Sequence, residues 1–290
     1  MQAHRVVILG GGFGGLHVAL ELERLWRGRT DVEVTLVCRD NFFLFTPMLH
    51  EVAASDLDIT HIVSPIRSLL QRTRVFVGEV AGIDLEARRV RVTHGYAGHP
   101  HDLAFDQLVL SLGSITNFYG LPGLERHALT MKTLGDAIHL RNRVIATLEE
   151  ADNECAREEG LLTFVVAGGG FAGVETMAGL NDFVRDGLRH YPRLDRTRVR
   201  MVLIHSGDVV LPELGPRLGR YAQEKLIERG VEVLTHTRVA GVSTSGVTLD
   251  NGERIPARLI VWTAGTSPHP LLQQLPCPLE RGRLVVDERL

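Results

Sequence analysis

The sequence predicts an α/β fold of two doubly wound units, each a parallel sheet between helices with an antiparallel meander, the second inserted in the first. Three observations predict it. A buried-strand pattern at Arg5–Leu9 runs into the glycine cluster GGGFGG and then into the apolar periodicity of Leu16–Trp26. The same succession returns at Leu162–Ala167, GGGFAG and Val174–His190. The two copies are in register: Gly10, Gly12, Gly15 and Leu22 map onto Gly168, Gly170, Gly173 and Leu180 at a constant offset of 158.

After the first helix, Val32–Val37 is the next β-rich run. Arg74–Val80 and Arg88–Thr93 follow as strands, with Gly82–Asp84 and a polar loop at His94–Asp102 completing a small meander. Leu108–Leu112 returns to a buried strand and stops at Gly113, and Pro122 with Gly123 marks a connection. Leu134–Glu159 predicts a long helix rich in Leu, Ala, Glu and Arg. Beyond the second glycine cluster, Val199–Ile204 is a strand and Leu218–Arg229 an amphipathic helix closed by Gly230, a C-cap signal. Val231–Leu234, Gly246–Leu249 and Leu259–Trp262 supply further short strands.

Composition excludes several function classes. A hydrophobic fraction of 44% and a charged fraction of 23% are those of a soluble globular protein. The net charge of -3 leaves no basic footprint for nucleic acid. No apolar run approaches the roughly 18 residues of a membrane span, and the N-terminus reads as a strand rather than a signal peptide. A cytoplasmic location is expected, with any membrane contact peripheral. Cys38, Cys155 and Cys277 form no C-x-x-C pair, which argues against dithiol–disulfide chemistry within one chain.

The glycine clusters carry the chemistry. In G-x-G-x-x-G the first glycine permits a tight turn, the second lets a pyrophosphate approach the backbone, and the third lets helix and strand pack closely. The helix N-terminus then offers unpaired N–H groups and partial positive charge to the phosphates. Two in-register copies predict two Rossmann-like dinucleotide sites. An acid is expected at the end of the following strand to hold a ribose 2′-OH. Cys38 stands there in the first unit, followed by Arg39 and Asp40, and His205 stands there in the second. Unlike an acid, His205 does not repel a 2′-phosphate, so the choice between NADH and NADPH stays open.

Together these residues resemble the type II NADH dehydrogenase family, within the two-dinucleotide-domain flavoprotein superfamily. The resemblance covers essentially the whole chain and is carried by GGGFGG, NFFLFTPMLHEVA at Asn41–Ala53, FDQLVLSLGSITNFYGLPG at Phe105–Gly123 and MKTLGDAIHLRNRV at Met131–Val144. It continues through VVAGGGFAGVETMAGL at Val165–Leu180, IVWTAGTSPHP at Ile260–Pro270 and GRLVVDERL at Gly282–Leu290. It implies FAD in the first unit, NADH in the second, hydride transfer between them and a quinone as acceptor. Residues 1–117 and 264–290 would form the FAD-binding domain, and residues 118–263 the NAD(P)H-binding domain.

By the same resemblance Gly10, Gly12, Phe13, Gly14 and Gly15 would cradle the FAD pyrophosphate, with Cys38 and Arg39 at the ribose. Thr46 and Pro47 would line the flavin, Val80 would meet the adenine through its backbone, and Ser111 with Gly113 would close the FAD side. Gly168, Gly169, Gly170, Phe171, Ala172 and Gly173 would hold the NADH pyrophosphate, with His205 at the ribose and Ala264 and Gly265 at the crossover between domains. Glu175, the acid of GVE, would lie near the nicotinamide and handle a proton. Members of the family continue past the segment matching Gly282–Leu290 to a Gly-Asp motif, a quinone site and a membrane-binding region. The chain is therefore expected to be C-terminally truncated, and a related reductase with another acceptor, or a nucleotide-binding protein without full turnover, stays open. So does a homodimer.

Each residue also has a plainer role. Glu175 serves equally as a helix N-terminal acid favoured by the dipole. His94, His99 and His101 lack companion ligands and predict a solvated loop, not a metal site. Cys38 predicts a small residue packed under a ribose more readily than a reactive thiol. Among Phe42, Phe43 and Phe45, stacking on a flavin competes with core packing, and Lys132 predicts an exposed lysine.

Overall fold

The computed structural model describes residues 3–153 and 159–290. The first stretch of chain carries β1 (His4–Leu9), α1 (Phe13–Leu25), β2 (Val32–Cys38), β3 (Phe42–Leu44), α2 (Leu49–Ala53), β4 (Val63–Pro65) and α3 (Ile66–Leu69). Then come β5 (Arg74–Val77), β6 (Glu79–Asp84), β7 (Arg89–His94), β8 (His99–Ala104), β9 (Gln107–Leu110), β10 (Ser114–Thr116), α4 (Leu124–His127) and α5 (Leu134–Asn153). The remainder holds β11 (Thr163–Ala167), α6 (Phe171–Gly187), β12 (Arg200–Ile204), α7 (Pro216–Glu228), β13 (Val231–Leu234), β14 (Val239–Ser243), β15 (Gly246–Leu249), β16 (Arg254–Pro256), β17 (Leu259–Trp262), β18 (Thr266–Pro268), β19 (Leu279–Glu280) and β20 (Arg283–Leu284).

These elements form two compact units, one of residues 1–45, 63–115 and 267–290, the other of residues 46–62 and 116–266. In the first, β5-β2-β1-β9 make a parallel sheet with the glycine-turn strand β1 inside it. Val6, Ile8, Leu16, Ala19, Leu36 and Ile66 bury one face of that sheet under α1, and Val7, Leu9, Val37, Val90, Val92 and Phe105 bury the other under the β6-β7-β8 meander. In the second, β13-β12-β11-β17 repeat the arrangement around β11. Its β14-β15-β16 meander closes over Val165, Val202, Ile260 and Trp262. Numbered within each unit, both sheets run 3-2-1-4, the order of a doubly wound sheet, with ligand crevices outside the carboxyl ends of the strands. The predicted fold class holds in both units.

Three elements differ from the sequence reading. The strand predicted over Arg74–Val80 is two strands broken at Gly78. The Gly78 N–H donates to the Cys38 carbonyl at 2.9 Å, ending the parallel ladder. A Cβ at Gly78 would lie 2.7 Å from the Thr93 carbonyl oxygen. The polar loop predicted at His94–Asp102 is mostly strand, since β8 pairs with β7 from His94↔His99 to Arg89↔Ala104. Its polar residues line the exposed face, while Leu103 turns inward beside Val90. Gly82–Asp84 likewise lies inside β6. The long helix is described from Leu134 to Asn153; the predicted continuation toward Glu159, with Cys155, lies outside the described residues.

Candidate functional site

The two glycine turns have one geometry. Gly10 and Gly168 adopt φ of +108° and +123°, a region closed to L side chains. Their N–H groups donate to the carbonyls of Val37 and Ile204, at 2.8 and 2.9 Å, tying each turn to the neighbouring strand. A Cβ on Gly15 would fall 1.8 Å from the Gly10 carbonyl oxygen, and one on Gly173 1.7 Å from that of Gly168. The third glycine is thus the contact where helix meets turn. The second glycine behaves differently. A Cβ on Gly12 would meet nothing within 4 Å, and one on Gly170 only Glu213 Oε1 at 3.9 Å.

That open face lies at a helix N-terminus that carries no acid of its own, with Glu213 at the rim of the second. Neither Gly12 nor Gly170 supplies a side-chain cap, and neither α1 nor α6 has an acid in its first turn. Surface helices ordinarily place Ser, Thr, Asp or Glu there. Here the first N–H groups of Phe13, Gly14 and Gly15, and of Phe171, Ala172 and Gly173, are left to a ligand.

Around the first turn, Ser111 donates its N–H to the Leu9 carbonyl at 2.8 Å, and its Oγ stands 3.1 Å from where a Gly14 Cβ would be. Gly113, just beyond, has φ of +69°. Cys38 packs against Gly11 and is buried; burial, aided by the Asp40 charge, pushes its thiol up to about 11, so it is an inert packing group. Arg39 points to solvent beside Asp40 at 3.8 Å. Phe13 meets Phe43 edge-on at 5.0 Å and Phe45 at 5.6 Å; Phe43 packs on the core while Phe45 stays exposed. Val80 sits in β6 opposite Val92.

The second turn opens on a cavity of about 710 Å³ lined by Gly168, Gly169, Gly170, His205, Glu213, Trp262, Ala264 and Gly265. The Gly169 N–H donates to His205 Nδ1 at 3.2 Å, which places the ring proton on Nε2. That Nε2 is buried with no partner among the described residues. The imidazole also needs its glycines: a Cβ on Gly169 would lie 2.5 Å from the ring and one on Gly207 2.8 Å from Nε2. Tyr119 forms another wall, packed on Gly265 and edge-on to Trp262 at 6.4 Å. Nothing in the local sequence around Tyr119 marks it, because its place depends on the distant turn after β17.

The chain matches the pyridine nucleotide-disulphide oxidoreductase family over residues 4–290. It belongs to that family. It is 36% identical to the demethylphylloquinone reductase NdbB of Synechocystis, covering 99% of this chain and 68% of that protein. It is 32% identical to the type II NADH:quinone oxidoreductase Ndh of Mycobacterium tuberculosis, covering 99% of this chain and 62% of that protein. Its fold is that of NDH2 from Plasmodium falciparum, whose structure was solved with NADH: the TM-score is 0.87 at 22% identity, over 94% of this chain and 57% of that one. The chain therefore spans about three-fifths of the length of several proteins it resembles.

Other predicted site residues lie outside the two glycine clusters in the sequence. Thr46 and Pro47 open an exposed 3-10 turn, Thr46–Met48, directly before α2. Glu175 lies in the second turn of α6, beyond the reach of the N-terminal dipole assumed for it, and its Oε2 stands 3.6 Å from His50 Nδ1 on α2. His50 also reaches Glu51 at 3.4 Å and is the more buried partner, with a side chain 19% exposed against 44% for Glu175. Sequence reasoning quoted His50 within a matching block without singling it out. His101, expected in a solvated loop, stacks on Phe76 at 5.2 Å. Lys132 is half-buried rather than exposed, and burial lowers its pKa.

Proposed function

We propose that this protein is a flavin-dependent oxidoreductase that passes a hydride from NADH to FAD and then two electrons to a quinone. One observation carries the reading: each turn keeps its first and third glycines for packing and leaves its second facing open space beneath an uncapped helix N-terminus. That arrangement has no structural use of its own, and it fits a pyrophosphate. Bound FAD would supply the redox chemistry.

The chain's own residues bind and orient. Gly12 to Gly15 hold the FAD pyrophosphate, with Ser111 and Gly113 beside them, Cys38 and Arg39 toward the ribose, and Val80 at the adenine. Thr46 and Pro47 contact the flavin. Gly168 to Gly173, with Ala264 and Gly265, hold NADH. Glu175, paired with His50, holds a proton beside the nicotinamide. His205 stands toward the ribose in place of an acid and does not repel a 2′-phosphate, so NADPH is not excluded as the donor. The quinone is supported by the names of the Mycobacterium and Synechocystis relatives. A quinone acceptor favours a peripheral location for the full-length protein, on the cytoplasmic face of the membrane that holds quinones.

The test is direct. Protein purified with FAD should be yellow, bleach when NADH is added without air, and recover its colour on adding a water-soluble quinone. Protein that takes up no FAD, or is not bleached by NADH or NADPH, would refute the reading. Calorimetric binding of NADH without flavin uptake would instead identify a nucleotide-binding protein.

A further inference from the structure

A second cavity of the same unit is lined by basic groups. It encloses about 280 Å³ around the start of β17, where Leu259 and Ile260 form part of its wall, while Trp262 at the other end of that strand lines the cavity of the glycine turn. Arg126 and His127 reach it from the last turn of α4, His139 and Arg143 from one face of α5, Arg258 from the residue before β17, and the Ser243–Thr244 turn from the end of β14. His139 and Arg143 are four residues apart in the helix and so stand on one face of it.

The charges here are unbalanced. Elsewhere arginines meet carboxylates, as Arg5 meets Asp106, Arg91 meets Asp102 and Arg200 meets Glu232. No carboxylate is among the described residues lining this cavity. Arg258 is ion-paired with Glu150 at 3.5 Å, outside the lining, so the unbalanced charge is that of Arg126 and Arg143. Among the described residues, the Arg126 and Arg143 guanidinium groups have no hydrogen bond or ion pair. The whole chain carries net charge -3, so this concentration of positive charge is local. Like charges around one concave space repel, and an anion placed among them relieves that repulsion.

We infer that this cavity is a binding site for a small phosphoryl-bearing anion, separate from the nucleotide sites. Guanidinium forks match phosphoryl oxygens in pairs, and the Thr244 hydroxyl adds a neutral donor, while the Ser243 hydroxyl is held within its own turn by Ser245 and Gly246. The volume argues for size: about 280 Å³ falls just below the roughly 300–1,000 Å³ range of small-molecule sites. It is well below the 710 Å³ of the cavity at the second turn, so it holds a phosphate or pyrophosphate group and not a dinucleotide.

The phosphoryl group belongs either to a soluble compound or to a lipid headgroup, and two arms of one experiment separate them. The chain is titrated calorimetrically with inorganic pyrophosphate at ionic strength fixed by sodium chloride. In parallel it is sedimented with phosphatidylcholine vesicles with and without phosphatidic acid. Each arm is run on the wild type, on Gly170→Ala, which removes pyrophosphate binding at the second glycine turn, and on the double variant Arg126→Gln/Arg143→Gln. The expected result is saturable binding in one arm that survives Gly170→Ala and becomes about tenfold weaker or more in the double variant. Circular dichroism on every variant, and NADH titration on the arginine variants, check that the fold is intact, and Arg126→Lys/Arg143→Lys, which keeps the charge but loses the forks, should bind more tightly than the Gln pair and more weakly than the wild type. The inference is overturned if both arms give the same result for the wild type and the double variant, or if neither gives saturable binding. Since NADH is titrated separately, its failure to bind the wild type would count against the nucleotide reading alone.

Discussion

Gly170 and Gly173 stand in the same turn and answer to different forces. A methyl group on Gly173 would overlap the Gly168 carbonyl oxygen at 1.7 Å, so Gly173→Ala should destabilise the fold by about 3 kcal/mol, read from denaturant unfolding. A methyl on Gly170 meets only Glu213 Oε1 at 3.9 Å, and its φ of -77° suits alanine, so Gly170→Ala should change stability by under about 1 kcal/mol. Its effect should fall on nucleotide affinity, measured by calorimetry. Cys38 gives another residue-scale expectation. Its thiol titrates near 11, so at pH 8 it stays protonated and should not react with a thiol reagent until the chain is unfolded in denaturant. If His205 stands at the ribose, His205→Glu would supply an acceptor there and repel a 2′-phosphate, so the NADPH:NADH affinity ratio should fall about tenfold or more.

At the scale of elements, local signals were legible where a segment satisfies itself and obscure where a distant partner decides. Helix α5 starts at a capping box: Thr133 Oγ accepts the Asp136 N–H at 3.1 Å, and Asp136 accepts the N–H groups of Thr133 at 3.0 Å and Lys132 at 2.8 Å. Asp136→Ala should therefore cost about 1 kcal/mol in thermal unfolding. Strand β8 shows the opposite case. Its sequence HPHDLA has the polarity of a loop, and only pairing with β7 makes it a strand. The break at Gly78 was hidden for the same reason, since the obstacle to a side chain there is the Thr93 carbonyl of another strand. The pairing of α2 with α6 through His50 and Glu175 also needed the fold to be seen. That pair is half-exposed, so Glu175→Gln should alter stability by less than about 1 kcal/mol. If Glu175 handles a proton, turnover should drop by roughly 10²-fold.

For the molecule as a whole, the repeat at an offset of 158 made the architecture readable, because one device used twice predicts one topology twice. The walls of the cavities were far less readable: Tyr119, Glu213 and Trp262 meet around the second turn from separate stretches of chain. The repeat also has a thermodynamic consequence. A ligand that binds only the folded state stabilises it by mass action, by about 2.7 kcal/mol at a hundredfold excess over its Kd. For units of this size that corresponds to roughly 5–10 °C in apparent Tm. NADH and FAD should each raise the Tm in scanning calorimetry, and the turn variants should separate them. Gly170→Ala should lose the NADH increment and keep that of FAD, and Gly12→Ala, whose methyl meets nothing within 4 Å, should do the reverse. If Gly170→Ala kept the full NADH increment, NADH would be bound elsewhere than at the second turn. If either substitution removed both increments together, the two turns would not be independent sites, and the assignment of one nucleotide to each would fail.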